Sequence, residues 1–267
     1  VTQKLALAYS SYDKPAQAAS EMMKLAELTP ESQQDLLWQA AELYSQAGDS
    51  AQAMKIYKSY IVKFPDPLSR TIEVRLKIAQ FYATQNDDDQ ERFWLEDIIK
   101  TDTNAGQQRS DRTRYLAATA TLKLIKPLHQ HYNAAKLTTP LKKSLQVKRK
   151  LMTQSIERYT QAARYQVEEV TTAATFNIAE IYREFASALL TSERPKGLNE
   201  EELEEYNYLL EDQAFPFEEK AITIYESNLL HMEKGSFDES IKSSLAALAR
   251  LLPFRYAKTE MIDNHAQ

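Results

Sequence analysis

The chain has 267 residues, of which 43% are hydrophobic and 27% charged, enough for one large domain or two smaller ones with a proper core. Only four glycines favour an all-helical protein, and the lack of cysteine excludes disulfides, thiolate chemistry and cysteine-based metal sites. A net charge of −5 argues against a general nucleic-acid binder, and no apolar stretch reaches the roughly 18 residues of a membrane-spanning helix.

The first 65 residues repeat one pattern at an offset of 35 residues. The matching columns are Ala6 and Ala41, Tyr9 and Tyr44, Ala18 and Ala53, and Pro30 and Pro65. A repeat unit of this size can bury its apolar face only against its neighbours, so the period predicts stacked helix pairs. We expect units near residues 1–30, 33–65 and 69–101, the third with its columns at Ile78, Ala79 and Tyr82.

Each unit is expected to contain two helices joined by a short turn. In the second unit the turn is Gly48-Asp49-Ser50, because glycine tolerates the left-handed conformation at a helix end and Asp or Ser caps the next helix. Pro65 ends the second helix. The residues predicted to face inward follow helical spacing: Leu37, Ala40, Ala41 and Tyr44 on the first helix, and Ala53, Ile56, Tyr57, Tyr60 and Ile61 on the second.

This pattern resembles the signature of tetratricopeptide-repeat (TPR) proteins, through Leu37, Ala41, Tyr44, Gly48, Ala53, Tyr57 and Pro65. The resemblance implies an all-α fold: a right-handed α–α superhelix of antiparallel helix pairs, about 10–12 helices in all. It also implies that the first helix of each unit lines a concave face that binds a peptide or a partner protein.

The groove columns implied by the resemblance give the candidate partner-binding residues. These are Asp35, Trp38, Glu42, Gln46, Glu73, Leu76 and Gln80, with Gln3, Leu7 and Ser45 in equivalent columns. Trp38 lies off the packing face of its helix, so it is either an anchor for a partner or ordinary packing against the neighbouring helix. The Lys and Asn pattern of TPR proteins that clamp a C-terminal carboxylate is absent from these columns.

Residues 108–253 are expected to form longer, divergent helical repeats continuous with the first part. One long helix follows Asp111 and is kinked near Pro127, and Pro140 opens another. Residues 168–192 form a helix that is apolar on two sides and so lies inside the stack. The remaining expectations are a helix Glu200–Gln213 capped by Asn199 and Glu202, an elbow at 214–217, a helix Phe217–Lys234, a closing helix with Ile241, Leu245, Leu248 and Leu252, and a fraying tail over 254–267.

No sequence motif indicates catalysis or cofactor binding. The chain lacks a glycine-rich phosphate loop, a nucleophile elbow and a paired-histidine helix, so we expect no enzyme, no cofactor and no metal. His129 and His131 point about 200° apart on a helix and cannot share a metal. We interpret His129 as packed, His131 as exposed, and the acids Asp87–Asp89 as a helix N-terminus rather than a calcium loop.

Two stretches of opposite charge stand out in the second half. One is basic, with Lys142, Lys143, Lys148, Arg149 and Lys150, and we expect it to be a solvated face. The other runs over residues 200–219 and is strongly acidic. The two could pair inside the molecule or serve a partner, so a second candidate function is a spacer or oligomerisation module without a peptide groove, and a homo-oligomer is possible.

Residues from about 170 to 260 resemble the C-terminal region of large TPR proteins of Gram-negative bacteria. The similarity covers the segment from Ala188 to Ile222 and that from Ser244 to Glu260. Such proteins are associated with gliding motility or with accessory TonB and ExbB/ExbD systems. The resemblance implies a periplasmic or outer-membrane-associated protein with such a partner, and because Val1 would fall inside a helix, we expect a longer natural chain with a signal sequence.

Overall fold

Regular structure in the described part of the chain is entirely helical. The computed structural model describes Tyr9 and residues 13–257, apart from the side chain of Lys234. Within these residues the α-helices are α1 Pro15–Leu28, α2 Gln33–Gln46, α3 Ser50–Lys63, α4 Leu68–Thr84, α5 Asp88–Thr103, α6 Asp111–Ala134, α7 Leu141–Ala163, α8 Glu168–Leu190, α9 Glu200–Leu229, α10 Glu239–Leu251 and α11 Pro253–Tyr256. The all-α class is confirmed; Gln3, Leu7 and the tail over 258–267 lie outside the described residues.

Helices begin and end where local chemistry predicts. Gly48 has a positive φ of 78°, and the Asp49 side chain accepts a hydrogen bond from the Gln52 backbone N–H at 3.1 Å. In the turn between α4 and α5, Asn86 takes the left-handed position with φ 56°, and Asp87 caps α5 in the same way as Asp49 caps α3. These turns therefore follow from short-range capping, as the sequence predicts.

The chain divides into two compact units, Val1–Thr121 and Leu122–Gln267. In the first unit α1 packs against α2, α2 against α3, α3 against α4 and α4 against α5. Small residues at the contacts let the backbones approach, and tyrosines fill the remaining volume. The core of this unit around α2 and α3 is formed by Ala40, Ala41, Ala53, Met54, Ile56, Tyr57, Tyr60, Val74 and Ile78.

In the second unit α8 is the central helix. It packs against α7, α9 and α10, and α9 also packs against α10. Buried residues lie on two sides of α8, with Ala174, Ile181 and Phe185 on one and Ala179 on the other, so the predicted two-sided burial is confirmed. The Asn199–Glu202 capping box that opens α9 is confirmed as well.

The predicted elbow at residues 214–217 is wrong. A single helix, α9, runs through Pro216 from Glu200 to Leu229, and a short 3₁₀ turn, Met232–Lys234, follows it. Proline removes one helical hydrogen bond and favours a break. Tertiary packing outweighs this cost, because the Phe217 ring lies 4.7 Å from Phe185 and 6.3 Å from Tyr182, measured between centroids.

Lys148 does not belong to a solvated face, contrary to the prediction. It is only 4% exposed. Its Nζ donates hydrogen bonds to the carbonyls of Tyr132 at 3.1 Å and Ala135 at 2.9 Å, and lies 4.2 Å from the centre of the Tyr132 ring. These carbonyls lie in the last turn of α6 and just beyond it, where the negative partial charge of the helix C-terminus favours a cation.

His129 is packed and His131 exposed, as predicted. The Nδ1 atom of His129 lies 2.7 Å from the hydroxyl oxygen of Tyr159. Burial lowers the pKa of His129, because a charged imidazolium is disfavoured away from water. This side chain is therefore a neutral packing residue of the second unit.

Candidate functional site

The predicted partner-binding residues lie on α2 and α4 of the first unit. Asp35, Trp38, Glu42 and Gln46 follow each other at spacings of three or four residues on α2, and Glu73, Leu76 and Gln80 do so on α4. Each set therefore lies on one side of its helix.

Ion pairs connect α2 to α4 and α4 to α6. The carboxylate of Asp35 lies 2.5 Å from Arg70 and that of Glu42 lies 2.9 Å from Lys77, so α2 is linked twice to α4. Both pairs join residues 35 apart, which is the repeat offset. We call the set of three pairs the charge ladder; it consists of Asp35–Arg70, Glu42–Lys77 and Glu73–Arg112, the last at 2.7 Å between α4 and α6.

Trp38 is half-buried beneath the ladder. Its ring lies edge-on to Tyr60 of α3 with 6.1 Å between centroids. Two ladder cations approach the same ring: Arg70 Cζ at 5.5 Å and Lys77 Nζ at 5.8 Å from the centroid. This geometry matches the interpretation in which Trp38 packs against neighbouring helices. A contact between Trp38 and a partner remains a prediction.

Glu42 is the best-connected carboxylate of the ladder. It accepts hydrogen bonds from Lys77 and from the hydroxyl of Tyr57, which is itself buried. Burial and then the bond to Glu42 raise the pKa of the Tyr57 hydroxyl above its ordinary value. The carboxylate thus joins α2, α3 and α4 through one polar centre.

A cavity of about 210 Å³ lies beside the ladder. Its lining combines polar groups with apolar ones: Ser45, Ser50, Ala53, Met54, Tyr57, Lys77, Gln80, Phe81 and Thr84. Typical small-molecule sites have about 300–1,000 Å³, so this cavity fits one side chain of a bound peptide better than a whole metabolite. Of the other predicted residues, Gln46 is exposed at the end of α2 and Leu76 is half-buried on α4.

The partners of the predicted acids were not predicted from the sequence. Arg70, Lys77 and Arg112 complete the ladder, and Tyr57 was assigned to packing alone. A signal was present in the sequence, because Asp35 and Arg70, like Glu42 and Lys77, carry opposite charges at the repeat offset. Equivalent positions on neighbouring stacked helices lie side by side, so such charges can pair.

A second cavity, of about 470 Å³, lies in the second unit between the ends of α6 and α8. Apart from Lys136, its charged groups have partners: Lys148 binds backbone carbonyls, Arg183 pairs with Glu180 and Glu184, and Glu193 accepts from Thr139. We assign the candidate site to the ladder face of the first unit, because the predicted partner-binding residues lie there.

Metal and membrane features are not found among the residues that the structure describes. No group of three or more His, Cys, Asp or Glu side chains there could hold a metal ion. No helix in the same ranges is long and apolar enough to cross a bilayer.

No protein-family model matches the sequence, and comparison with curated proteins gives no match either.

Proposed function

We propose that this chain is a protein–protein interaction scaffold without catalytic activity. Its first unit is a TPR-like array, part of a right-handed superhelix, and the surface formed by α2, α4 and the start of α6 binds a segment of a partner protein. The observation that supports this most is the charge ladder. It ties three successive first helices into one continuous surface before any partner arrives, which lowers the entropic cost of binding.

The chemistry of this surface restricts the partner. The ladder contains three carboxylates and three cations, so its charges balance and it does not attract a polyanion such as nucleic acid. An extended peptide with its own polar backbone groups suits such a surface. One of its side chains would enter the cavity next to Gln80.

Peptide selection tests the proposal. A displayed library of random linear peptides is selected against the purified chain, and the selected peptides are measured with Gln80→Arg, which fills the cavity mouth. We expect affinity to fall by about tenfold or more, equivalent to about 1.4 kcal/mol. The matched control is Glu96→Arg, because Glu96 is exposed on α5 and lines no part of the cavity.

Two outcomes of the selection would contradict a binding face here. One is that no peptide is enriched; the other is that both variants lose affinity equally. Trp38→Ala and Glu42→Lys are less informative, because both side chains also contact the core of the unit. Loss of binding in those variants could reflect unfolding alone.

The cellular setting is proposed from the resemblance of residues 170–260 to envelope-associated TPR proteins. In this proposal the chain is periplasmic or outer-membrane-associated, and its partner belongs to a TonB/ExbB/ExbD-type system. Fractionation of cells that carry the natural gene, followed by crosslinking to ExbB and ExbD, tests both parts. Recovery of the protein in the cytosolic fraction would contradict the location, and lack of any crosslink would contradict the partner.

A further inference from the structure

One side of α9 exposes apolar side chains among acids. Tyr208 is 70% and Phe215 60% exposed, although large apolar side chains normally avoid water. They lie seven residues apart, two helical turns, and so on the same side of the helix. We call this side the α9 face; it consists of Glu204, Glu205, Tyr208, Leu209, Glu211, Asp212, Phe215 and Glu219, all exposed.

The acids of the α9 face have no cationic partner among the described residues. None of the ion pairs in the described part of the second unit includes an acid from residues 200–219. The sequence left open whether these acids pair with the basic run inside the molecule, and the structure shows no such pair. Both their charge and the neighbouring apolar groups are thus available to another molecule.

The exposed side of α7 is complementary. Lys143, Val147, Lys150, Gln154 and Arg158 follow each other at spacings of three or four residues, and all are exposed. Val147, at 55% exposure, places an apolar group between cations. We call this set the α7 face. Its cations, like the acids of the α9 face, have no ion-pair partner among the described residues.

The two faces also match in length. Each spans fifteen residue steps, from Lys143 to Arg158 and from Glu204 to Glu219, or about 22 Å at about 1.5 Å per residue. The acids of the α9 face and the cations of the α7 face can therefore lie opposite each other when the two helices pack side by side. The exposed apolar side chains lie among these charges on both faces. Such complementarity steers association and fixes the register of a contact.

We propose that the α9 face docks against the α7 face of a second copy of this chain. The contact goes beyond the peptide-binding role, since it uses a different unit and a different surface. It joins unlike surfaces, so it gives either a closed dimer with two equal contacts or a chain of copies. Because exposed charges dominate it, the contact weakens with salt.

Sedimentation velocity of the full chain over a concentration series tests the proposal. The acid-reversed variant carries Glu204→Lys and Asp212→Lys; the base-reversed variant carries Lys143→Glu and Lys150→Glu. We expect the natural chain to associate at low salt and to dissociate at about 1 M salt, where the screening length is about 3 Å. Each variant alone should be monomeric, with the dissociation constant raised at least about tenfold, because the reversals remove opposite charges from the contact and bring like charges into it.

Mixing the two variants provides the decisive control. The unchanged α7 face of the acid-reversed variant then meets the unchanged α9 face of the base-reversed variant, so opposite charges face each other again and association should return. The matched control for the acid-reversed variant is Glu27→Lys with Glu31→Lys, two exposed positions of the first unit that give the same change in net charge; association should be unchanged.

Several outcomes would overturn the proposed contact. A natural chain that stays monomeric at low salt would do so, including the case in which the α9 face binds only an unrelated basic helix. Association that survives in either charge-reversed variant would do so as well, and so would a mixture of the two variants that stays monomeric although the circular dichroism of both is unchanged. Peptide binding by the first unit is independent of all these results.

Discussion

Replacement of Tyr57 by phenylalanine isolates the polar centre of the candidate site. Tyr57 is 4% exposed, and its hydroxyl donates a hydrogen bond to Glu42. The substitution removes one oxygen and leaves the ring packing in place. A hydrogen bond to a charged group contributes about 1.5–3 kcal/mol. Glu42 keeps its ion pair with Lys77, so we expect a loss of unfolding free energy near the low end, about 1–2 kcal/mol.

Urea unfolding followed by tryptophan fluorescence measures this loss in the right unit. Both tryptophans of the chain, Trp38 and Trp94, lie in the first unit, so the signal does not depend on two-state unfolding of the whole chain. The matched control is Tyr44→Phe. Tyr44 contacts the same core, and its hydroxyl has no hydrogen-bond partner among the described residues; we expect a change below about 0.5 kcal/mol.

The pH dependence gives a second readout of Tyr57. Burial and the bond to Glu42 raise the pKa of its hydroxyl above the ordinary 10.0. Above pH 10.0 the unfolded chain loses this proton while the folded chain keeps it, so the contribution of Tyr57 to stability falls as pH rises. The gap between the natural chain and Tyr57→Phe should therefore narrow above pH 10.0. Equal losses in the Tyr57 and Tyr44 variants would refute the reasoning.

Three further substitutions have defined outcomes. Reversing either member of the Glu42–Lys77 pair should destabilise the first unit by about 1 kcal/mol or more, whereas exchanging both should recover part of the loss in a double-mutant cycle; strict additivity would contradict the pair. Lys148→Met should lower the unfolding free energy by about 1–3 kcal/mol, because two carbonyls lose their donor, while Lys143→Met on the exposed side changes little; thermal melts followed by circular dichroism compare them. Asn199→Ala should cost about 1 kcal/mol and speed amide exchange in the first turn of α9; unchanged exchange would contradict the cap.

Local features of the fold could be predicted from the sequence because they depend on neighbouring residues. Gly48 and Asp49 form the turn between α2 and α3 through one positive φ and one side-chain cap. The spacing of Ala40, Ala41 and Tyr57 placed them correctly inside. The predicted break at Pro216 is wrong for the opposite reason. The helix α9 continues there because Phe217 packs against Phe185 of α8, a contact between distant segments.

The candidate site could be predicted only in part. The resemblance placed Asp35, Glu42 and Glu73 on the first helices, where the structure has them. Their cationic partners depend on which helix lies beside which, and the offset of 35 residues hinted at two of the three pairs without deciding them. A residue type alone does not reveal whether a charge has a partner.

The sequence by itself determined the repeat period and most helices and turns, α9 at Pro216 excepted, because caps, glycine turns and apolar spacing act over a few residues. Only the tertiary structure decided which charged side chains are buried or paired and which are exposed. Lys148 lies buried against backbone carbonyls, whereas Lys143 and Lys150 on the same helix are exposed and without a partner in the described chain. The reason is physical: the cost of burying a charge depends on the donors and acceptors that distant segments bring to it.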